Sequence, residues 1–217
     1  MHTLSYVVLV LGIVSSRAAD VDDFLSFTSD WSCKDARWTN ANRLTFCTWP
    51  GIICSATNAM QRLAWVSKSC TGTVDLSKLP ATVTDIDVSS NNFAGPLLLV
   101  TSAVLRIANC AFNQFVSVDL TNPPSTLVNL NLNNNRITYT CPHPFRMLRP
   151  PLSRLIVGGW VASNMACDLD NTTLPNTLTA LDLSNLGLKC CLDFASLPLP
   201  SHCCRPSVFG ITLSQES

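Results

Sequence analysis

One pattern decides most of what this chain can become. Apolar residues recur in the arrangement L-x-x-L-x-L-x-x-N-x-L, with other apolar side chains standing in for Leu. The clearest copy is Leu127, Leu130, Leu132, Asn135 and Ile137. Val83, Ile86, Val88, Asn91 and Phe93 form a second, and Leu178, Leu181, Leu183, Leu186 and Leu188 a third. Weaker copies run through Leu152, Leu155, Val157, Trp160 and Ala162, and through Leu105, Ile107, Cys110 and Phe112, where Ser102 takes the first apolar place. The weakest is Met60, Leu63, Trp65, Lys68 and Cys70. Aligned on the N place, the six fall at Lys68, Asn91, Cys110, Asn135, Trp160 and Leu186, in steps of 23, 19, 25, 25 and 26 residues.

A repeat of roughly 20 to 29 residues with this pattern is that of leucine-rich repeats. Each unit supplies one short strand whose alternating L-x-L points two apolar side chains inward, then a turn and an irregular return limb. One unit cannot bury its apolar face alone, but stacked neighbours can. An Asn in the N place bonds backbone groups of the turn in adjacent rungs, so Asn91 and Asn135 satisfy polar groups that would otherwise cost about 1 to 3 kcal/mol each. Cys110 fills the same slot as a small, weakly polar side chain and reads as a buried, unpaired thiol. Trp160 and Leu186 cannot take the Asn role, so the ladder is broken there. Prolines recur before the strands, at Pro80, Pro123-Pro124, Pro150-Pro151 and Pro175, and make the return limbs extended or turn-like. The implied fold class is an α/β-type solenoid dominated by β and irregular structure. It is a curved leucine-rich repeat solenoid with short parallel strands on its concave face and few helices.

Composition agrees with a single repeat array. The 217 residues are 47% hydrophobic, enough for a sizeable core, and carry a formal net charge of zero with only 13% charged residues. No large field favours nucleic acid or an anionic membrane as partner. Leu4 to Val14 is an apolar stretch of 11 residues followed by Ser15-Ser16-Arg17-Ala18-Ala19, the layout of a secretory signal peptide cut near Ala18 or Ala19. No later segment reaches the roughly 20 apolar residues that span a bilayer, so the mature chain is expected to be secreted or surface-associated, without a transmembrane segment. In that oxidising setting the 11 cysteines are disulfide formers. The division expected is a signal peptide over 1–19, a disulfide-bonded cap over 20–59, about six repeats over 60–189 and a cysteine-rich cap and tail over 190–217.

The stretch Asp22-Asp23-Phe24-Leu25-Ser26-Phe27 begins like a short amphipathic helix, and Trp38 and then Cys47-Thr48-Trp49-Pro50-Gly51-Ile52-Ile53-Cys54 follow it. This resembles the N-terminal cap of plant-type extracellular leucine-rich repeat proteins: a helix, a Trp, then C-x-W-x-G-V-x-C. Thr71-Gly72-Thr73-Val74 and Ala94-Gly95-Pro96-Leu97 resemble that family's return limb, and the same cap and limbs resemble kinetoplastid parasite surface antigens. The resemblance covers about Asp22 to Leu188 and implies a Cys47 to Cys54 bridge, which leaves Cys33 with Cys70. Cys141 and Cys167 occupy nearly the same point on successive rungs, whose separation of about 4.7 to 4.9 Å suits a disulfide. Cys190, Cys191, Cys203 and Cys204 form two more bridges in a connectivity left open. With His202 these four also contain zinc-ligand types, but vicinal cysteines rarely point at one ion, and no metal or cofactor is expected.

Catalysis is poorly supplied. The mature chain has only His143 and His202, and no Ser or Cys lies in a nucleophile-elbow context, so no enzyme is expected. Asn171-Thr172-Thr173 is a glycosylation sequon on a return limb away from the strands. Alternation puts the residues between the leucines on the concave face. One column reads Ala64, Asp87, Arg106, Asn131, Ile156 and Asp182. Its neighbour reads Arg62, Asp85, Val104, Asn129, Arg154 and Ala180, and nearer the turn come Ser67, Ser90, Asn109, Asn134, Gly159 and Asn185. Asp85, Asp87, Arg106, Asn129, Asn131 and Arg154 are the candidate binding residues, set against the plainer reading that the charges merely pair across strands. The functions that follow are non-enzymatic recognition of an extracellular protein or glycan, inhibition of a secreted hydrolase, or a structural part of a surface coat.

Overall fold

The computed structural model describes residues 19–99, 104–120, 123–138, 151–159, 177–182 and 212–214. The leader up to residue 18, Asn171, His143, His202, Cys141, Cys167, Cys190, Cys191, Cys203 and Cys204 lie outside the described residues, as do the repeat positions Trp160, Ala162, Leu183, Leu186 and Leu188. In chain order the strands are β1 (Ile52–Cys54), β2 (Met60–Ala64), β3 (Val74–Asp75), β4 (Asp85–Asp87), β5 (Ala94–Leu98), β6 (Ile107–Asn109), β7 (Gln114–Asp119), β8 (Asn129–Asn131), β9 (Arg154–Ile156), β10 (Ala180–Asp182) and β11 (Thr212–Ser214). They form an eight-stranded sheet in the order β1-β2-β4-β6-β8-β9-β10-β11 and a three-stranded sheet in the order β3-β5-β7. From β2 to β10 every pairing in the large sheet is parallel, whereas β1 and β11 close its two ends antiparallel. The molecule is a leucine-rich repeat β-solenoid with little helix.

Each strand is only a few residues long because a repeat offers one inward residue between two outward ones. Leu63, Ile86, Ala108, Leu130, Leu155 and Leu181 are in register from rung to rung and buried. That register corrects the third repeat. Its inward residues are Leu105, Ala108, Cys110 and Phe115, all buried, with Asn113 in the N place. Ile107 and Phe112, read from sequence as core, are instead 39% and 55% exposed. Cys110 is a buried free thiol, but in a leucine slot and not in the Asn slot.

With that register the Asn places are Asn91, Asn113 and Asn135, evenly spaced, and each side chain bridges two rungs. The Asn91 amide donates to the carbonyls of Trp65 (2.8 Å), Val88 (3.0 Å) and Ser89 (3.1 Å), and its oxygen accepts from the N–H groups of Lys68 and Cys70. Asn113 donates to Val88, Cys110 and Ala111 and accepts from Phe93 N–H. Asn135 repeats this with Cys110, Leu132, Asn133 and Phe115. All three are buried, and their side chains supply partners to carbonyls and N–H groups inside the turn, where the carbonyls of Ser89, Ala111 and Asn133 also accept a backbone N–H from the preceding rung. Just before each Asn place the backbone turns left-handed, at Ser67 (φ 56°), Ser90 (58°), Phe112 (54°), Asn134 (51°) and Gly159 (70°). Only Gly adopts this freely. The other four are held there by a second ladder, in which the N–H of each donates to a carbonyl of the next rung: Ser89, Ala111, Asn133 and Gly158.

The return limbs are more regular than the prolines suggest. β3, β5 and β7 pair in parallel and form a flank, with Val74, Leu97, Phe115 and Val118 turned into the core. Pro96 is tolerated inside β5 because the register shifts between Gly95 and Pro96, where a strand can spare one N–H.

The N-terminal cap covers the open end of the core with rings. Residues 19–27 are helical, and Val21, Phe24 and Phe27 at helical spacing face inward. Phe24 stands 4.9 Å from Trp38 and 5.8 Å from Phe46, and Trp31 stands 4.6 Å from Phe93 of the second repeat. Trp31 Nε1 donates to the Thr73 carbonyl, and the buried Asp20 carboxylate accepts from Met60 N–H (2.9 Å) and the Thr82 hydroxyl. Cys33 is bonded to Cys70, tying the cap to the first repeat, and Cys47 is bonded to Cys54 within the cap.

Candidate functional site

The outward residues of the parallel strands line up in two columns. One runs Arg62, Asp85, Ile107, Asn129, Arg154 and Ala180, and the other Ala64, Asp87, Asn109, Asn131, Ile156 and Asp182. The register shift in the third repeat therefore changes the face. Asn109 replaces Arg106 in the second column, Ile107 replaces Val104 in the first, and Phe112 replaces Asn109 nearer the turn.

Between the columns lies a shallow hollow of about 210 Å³, lined by Arg62, Asp85, Asp87, Ile107, Asn109, Asn129, Asn131 and Arg154. It brings together five of the six residues picked from sequence. Arg106 sits one place before β6, where its N–H donates to the Thr84 carbonyl and its own carbonyl accepts from Val128. It lines an adjoining hollow of about 340 Å³ with Asp85, Ile107, Asn129, Ser153, Arg154 and Thr179. Asp85, Ile107, Asn129 and Arg154 belong to both hollows. Sequence reasoning turned Ile107 into the core and put Asn109 nearer the turn, and the signal that places them both is the even step of Asn91, Asn113 and Asn135.

The polar residues of the face divide by the work they already do. Asp87, Asn109 and Asn131 each accept, through a side-chain oxygen, the N–H two residues on, at Ser89 (3.0 Å), Ala111 (3.4 Å) and Asn133 (3.1 Å). A short polar side chain at the strand end closes such a turn locally. Asp87 also takes the Ser89 hydroxyl at 2.6 Å and, through its other oxygen, the Asn109 amide at 3.0 Å. Asp85 accepts from the Thr84 hydroxyl. By contrast, no hydrogen bond among the described residues engages the side chains of Arg62, Arg106, Asn129 or Arg154. Among the described residues the ion pairs are Arg37–Asp35, Arg43–Asp22 and Lys78–Asp75, none of them within this face. The charges of Arg62, Asp85, Asp87, Arg106 and Arg154 are thus not consumed by one another. Beneath them, burial and the charge of Asp87 push the Cys110 thiol up to about 12, which leaves it protonated and inert.

The chemistry on offer is hydrogen bonding and charge pairing in a wide, open trough. Among the described residues no group of His, Cys, Asp and Glu is placed to hold a metal ion, and no helix is long and apolar enough to cross a membrane.

No family model matches the sequence, and no curated protein matches it. Solved structures do resemble the fold. The Arabidopsis receptor kinase HAESA, solved in complex with the peptide hormone IDA and the co-receptor SERK1, is 22% identical, with a TM-score of 0.61 over 77% of this chain. The chain spans 29% of that receptor's length. The BIR2 ectodomain from Arabidopsis thaliana is 19% identical, with a TM-score of 0.52 over 64% of this chain and 79% of its own. At such identities the likeness is one of fold.

Proposed function

We propose that the chain is a non-enzymatic extracellular recognition module that binds a protein ligand on the concave face of its solenoid. The observation that carries the proposal is the set of charges and amides around the two hollows: Arg62, Asp85, Asn129 and Arg154 converge there without pairing among themselves. A merely solvated sheet would be expected to pair its opposite charges across strands. The cap disulfides support an oxidising, extracellular setting. That HAESA was solved with a peptide hormone and a co-receptor supports a protein ligand for this fold. The resemblance of the cap to parasite surface antigens, read from the sequence alone, makes a cell-surface setting part of the same proposal.

The test is capture from extracellular extracts by the full chain, beside a variant carrying Arg62→Ala, Asn129→Ala and Arg154→Ala. These three side chains hold none of the hydrogen bonds between described residues, so the variant keeps its fold, checked by circular dichroism. A protein retained by the native chain and lost by the variant is the expected result. Equal capture by both, or capture by neither, removes the concave-face reading.

A further inference from the structure

The order of charges along the face limits what kind of ligand it can hold. Rung by rung the first column reads a cation (Arg62), an anion (Asp85), an apolar side chain (Ile107), an amide (Asn129) and a cation (Arg154), with register fixed by the parallel pairings. We propose, building on the concave-face reading above, that the ligand is an extended peptide segment lying along the solenoid axis. A basic side chain sits at Asp85, a neutral or apolar stretch over Ile107 and Asn129, and an acidic side chain at Arg154.

The spacing sets the length. Three rungs separate β4 from β9, and neighbouring strands lie about 4.7 to 4.9 Å apart, which puts Asp85 and Arg154 roughly 14 to 15 Å apart. An extended peptide rises about 3.2 to 3.4 Å per residue and covers that distance in about four residues. The basic and acidic side chains therefore stand at positions i and i+4. Between them Ile107, 39% exposed, gives an apolar floor, and the Asn129 amide offers both a donor and an acceptor to a peptide backbone. Asp87 adds negative charge at the Asp85 end, although its own oxygens are already engaged by Ser89 and Asn109.

The remaining cations act by exclusion. Arg62 stands one rung beyond Asp85 and disfavours a second basic residue there. Arg106 flanks Ile107 in the adjoining hollow and disfavours a basic residue in the centre. Specificity of this kind comes as much from repulsion as from attraction. A peptide with one basic and one acidic group in this order meets complementary charge at both ends. A uniformly basic or uniformly acidic one meets like charge at one end.

The experiment screens a bead library of acetylated, amidated random heptapeptides against the full chain and against its Arg154→Glu variant. The native chain is expected to enrich sequences with Lys or Arg four residues from Asp or Glu, about tenfold over either uniformly charged class, the size of one charge-pair preference of about 1.4 kcal/mol. The Arg154→Glu chain is expected to switch to sequences basic at both positions. No enrichment, enrichment without the four-residue spacing, or an unchanged preference in Arg154→Glu overturns the proposal, as does binding of neutral oligosaccharides on a glycan array with an empty peptide screen. The two proposals fail separately. A protein captured through Arg62, Asn129 and Arg154, with no charge order in the library, refutes the peptide polarity alone. Capture that ignores those residues refutes the concave face itself.

Discussion

Replacing Asn113 with alanine removes three buried donations, to Val88, Cys110 and Ala111, and leaves the Phe93 N–H without its acceptor. The three carbonyls keep the Asn91 amide, the Asn135 amide and the Ser90 N–H as partners, so the cost is three lost hydrogen bonds of about 0.5 to 1.5 kcal/mol each plus about 1 to 3 kcal/mol for the Phe93 N–H, partly offset by a water in the space left behind. A loss of about 2 to 4 kcal/mol is expected in urea denaturation of Asn113→Ala. The neighbouring phenylalanines test the register. Phe115 is fully buried, so Phe115→Ala is expected to cost about 3 to 5 kcal/mol. Phe112 is half exposed and held at φ 54°, so Phe112→Gly is expected to be neutral or to stabilise by up to about 1 kcal/mol. Melting curves that reverse this order would restore Phe112 to the core. At this scale the sequence misleads for a physical reason. Ile107 and Phe112 are stronger apolar signals than Ala108, yet a solenoid fixes its register by backbone pairing between rungs, and that pairing turns both outward. The Asn ladder was legible at Asn91 and Asn135, and their midpoint at Asn113 carries the missing information.

Among the elements, the cap was the easiest to read and the flank sheet the hardest. Phe24, Trp38, Trp49 and the Cys47–Cys54 bridge follow a pattern dense enough to place from sequence. β5 hides behind Pro96, a residue that argues against a strand unless a register shift accommodates it. The concave columns were legible by alternation in every rung but the third, which is why Arg106 was placed in the centre of the face and Asn109 at its rim. The two cap bridges differ in what they constrain. Cys33–Cys70 spans 37 residues and Cys47–Cys54 only 7. On a chain-entropy argument, removing the longer bridge by paired Ser substitution costs about 4 kcal/mol and removing the shorter about 2.5 kcal/mol. Chemical denaturation of the two double variants checks the order. An equal or reversed loss would mean that the bridges act through the cap's folded packing instead of through the unfolded chain.

Across the whole molecule, a stack of parallel strands could in principle add further strands at either end, since each terminal strand presents unpaired N–H and C=O groups. Here β1 runs antiparallel to β2 and β11 antiparallel to β10, so the parallel stack is terminated at each end by a short strand of opposite direction from outside the repeat pattern. Neither was visible in the periodicity, because a closing strand needs only to pair once and is under no pressure to follow the repeat. β1 is further tied to the first rung by the cap, through the Gly51 carbonyl that accepts from Ala64 N–H. Proline at Ile53, whose side chain is half exposed and which stands opposite Arg62, removes a ladder donor without taking apolar volume from the core. If β1 is what keeps the solenoid from stacking on a second copy, Ile53→Pro exposes the edge of β2 and promotes self-association, seen as a concentration-dependent rise in mass by light scattering. The conservative partner Ile53→Val keeps the donor and stays at the native mass. Should Ile53→Pro also keep the native mass at every concentration, the aromatic cap, with Trp31 and Trp38 packed across that end of the core, is sufficient by itself to block the edge.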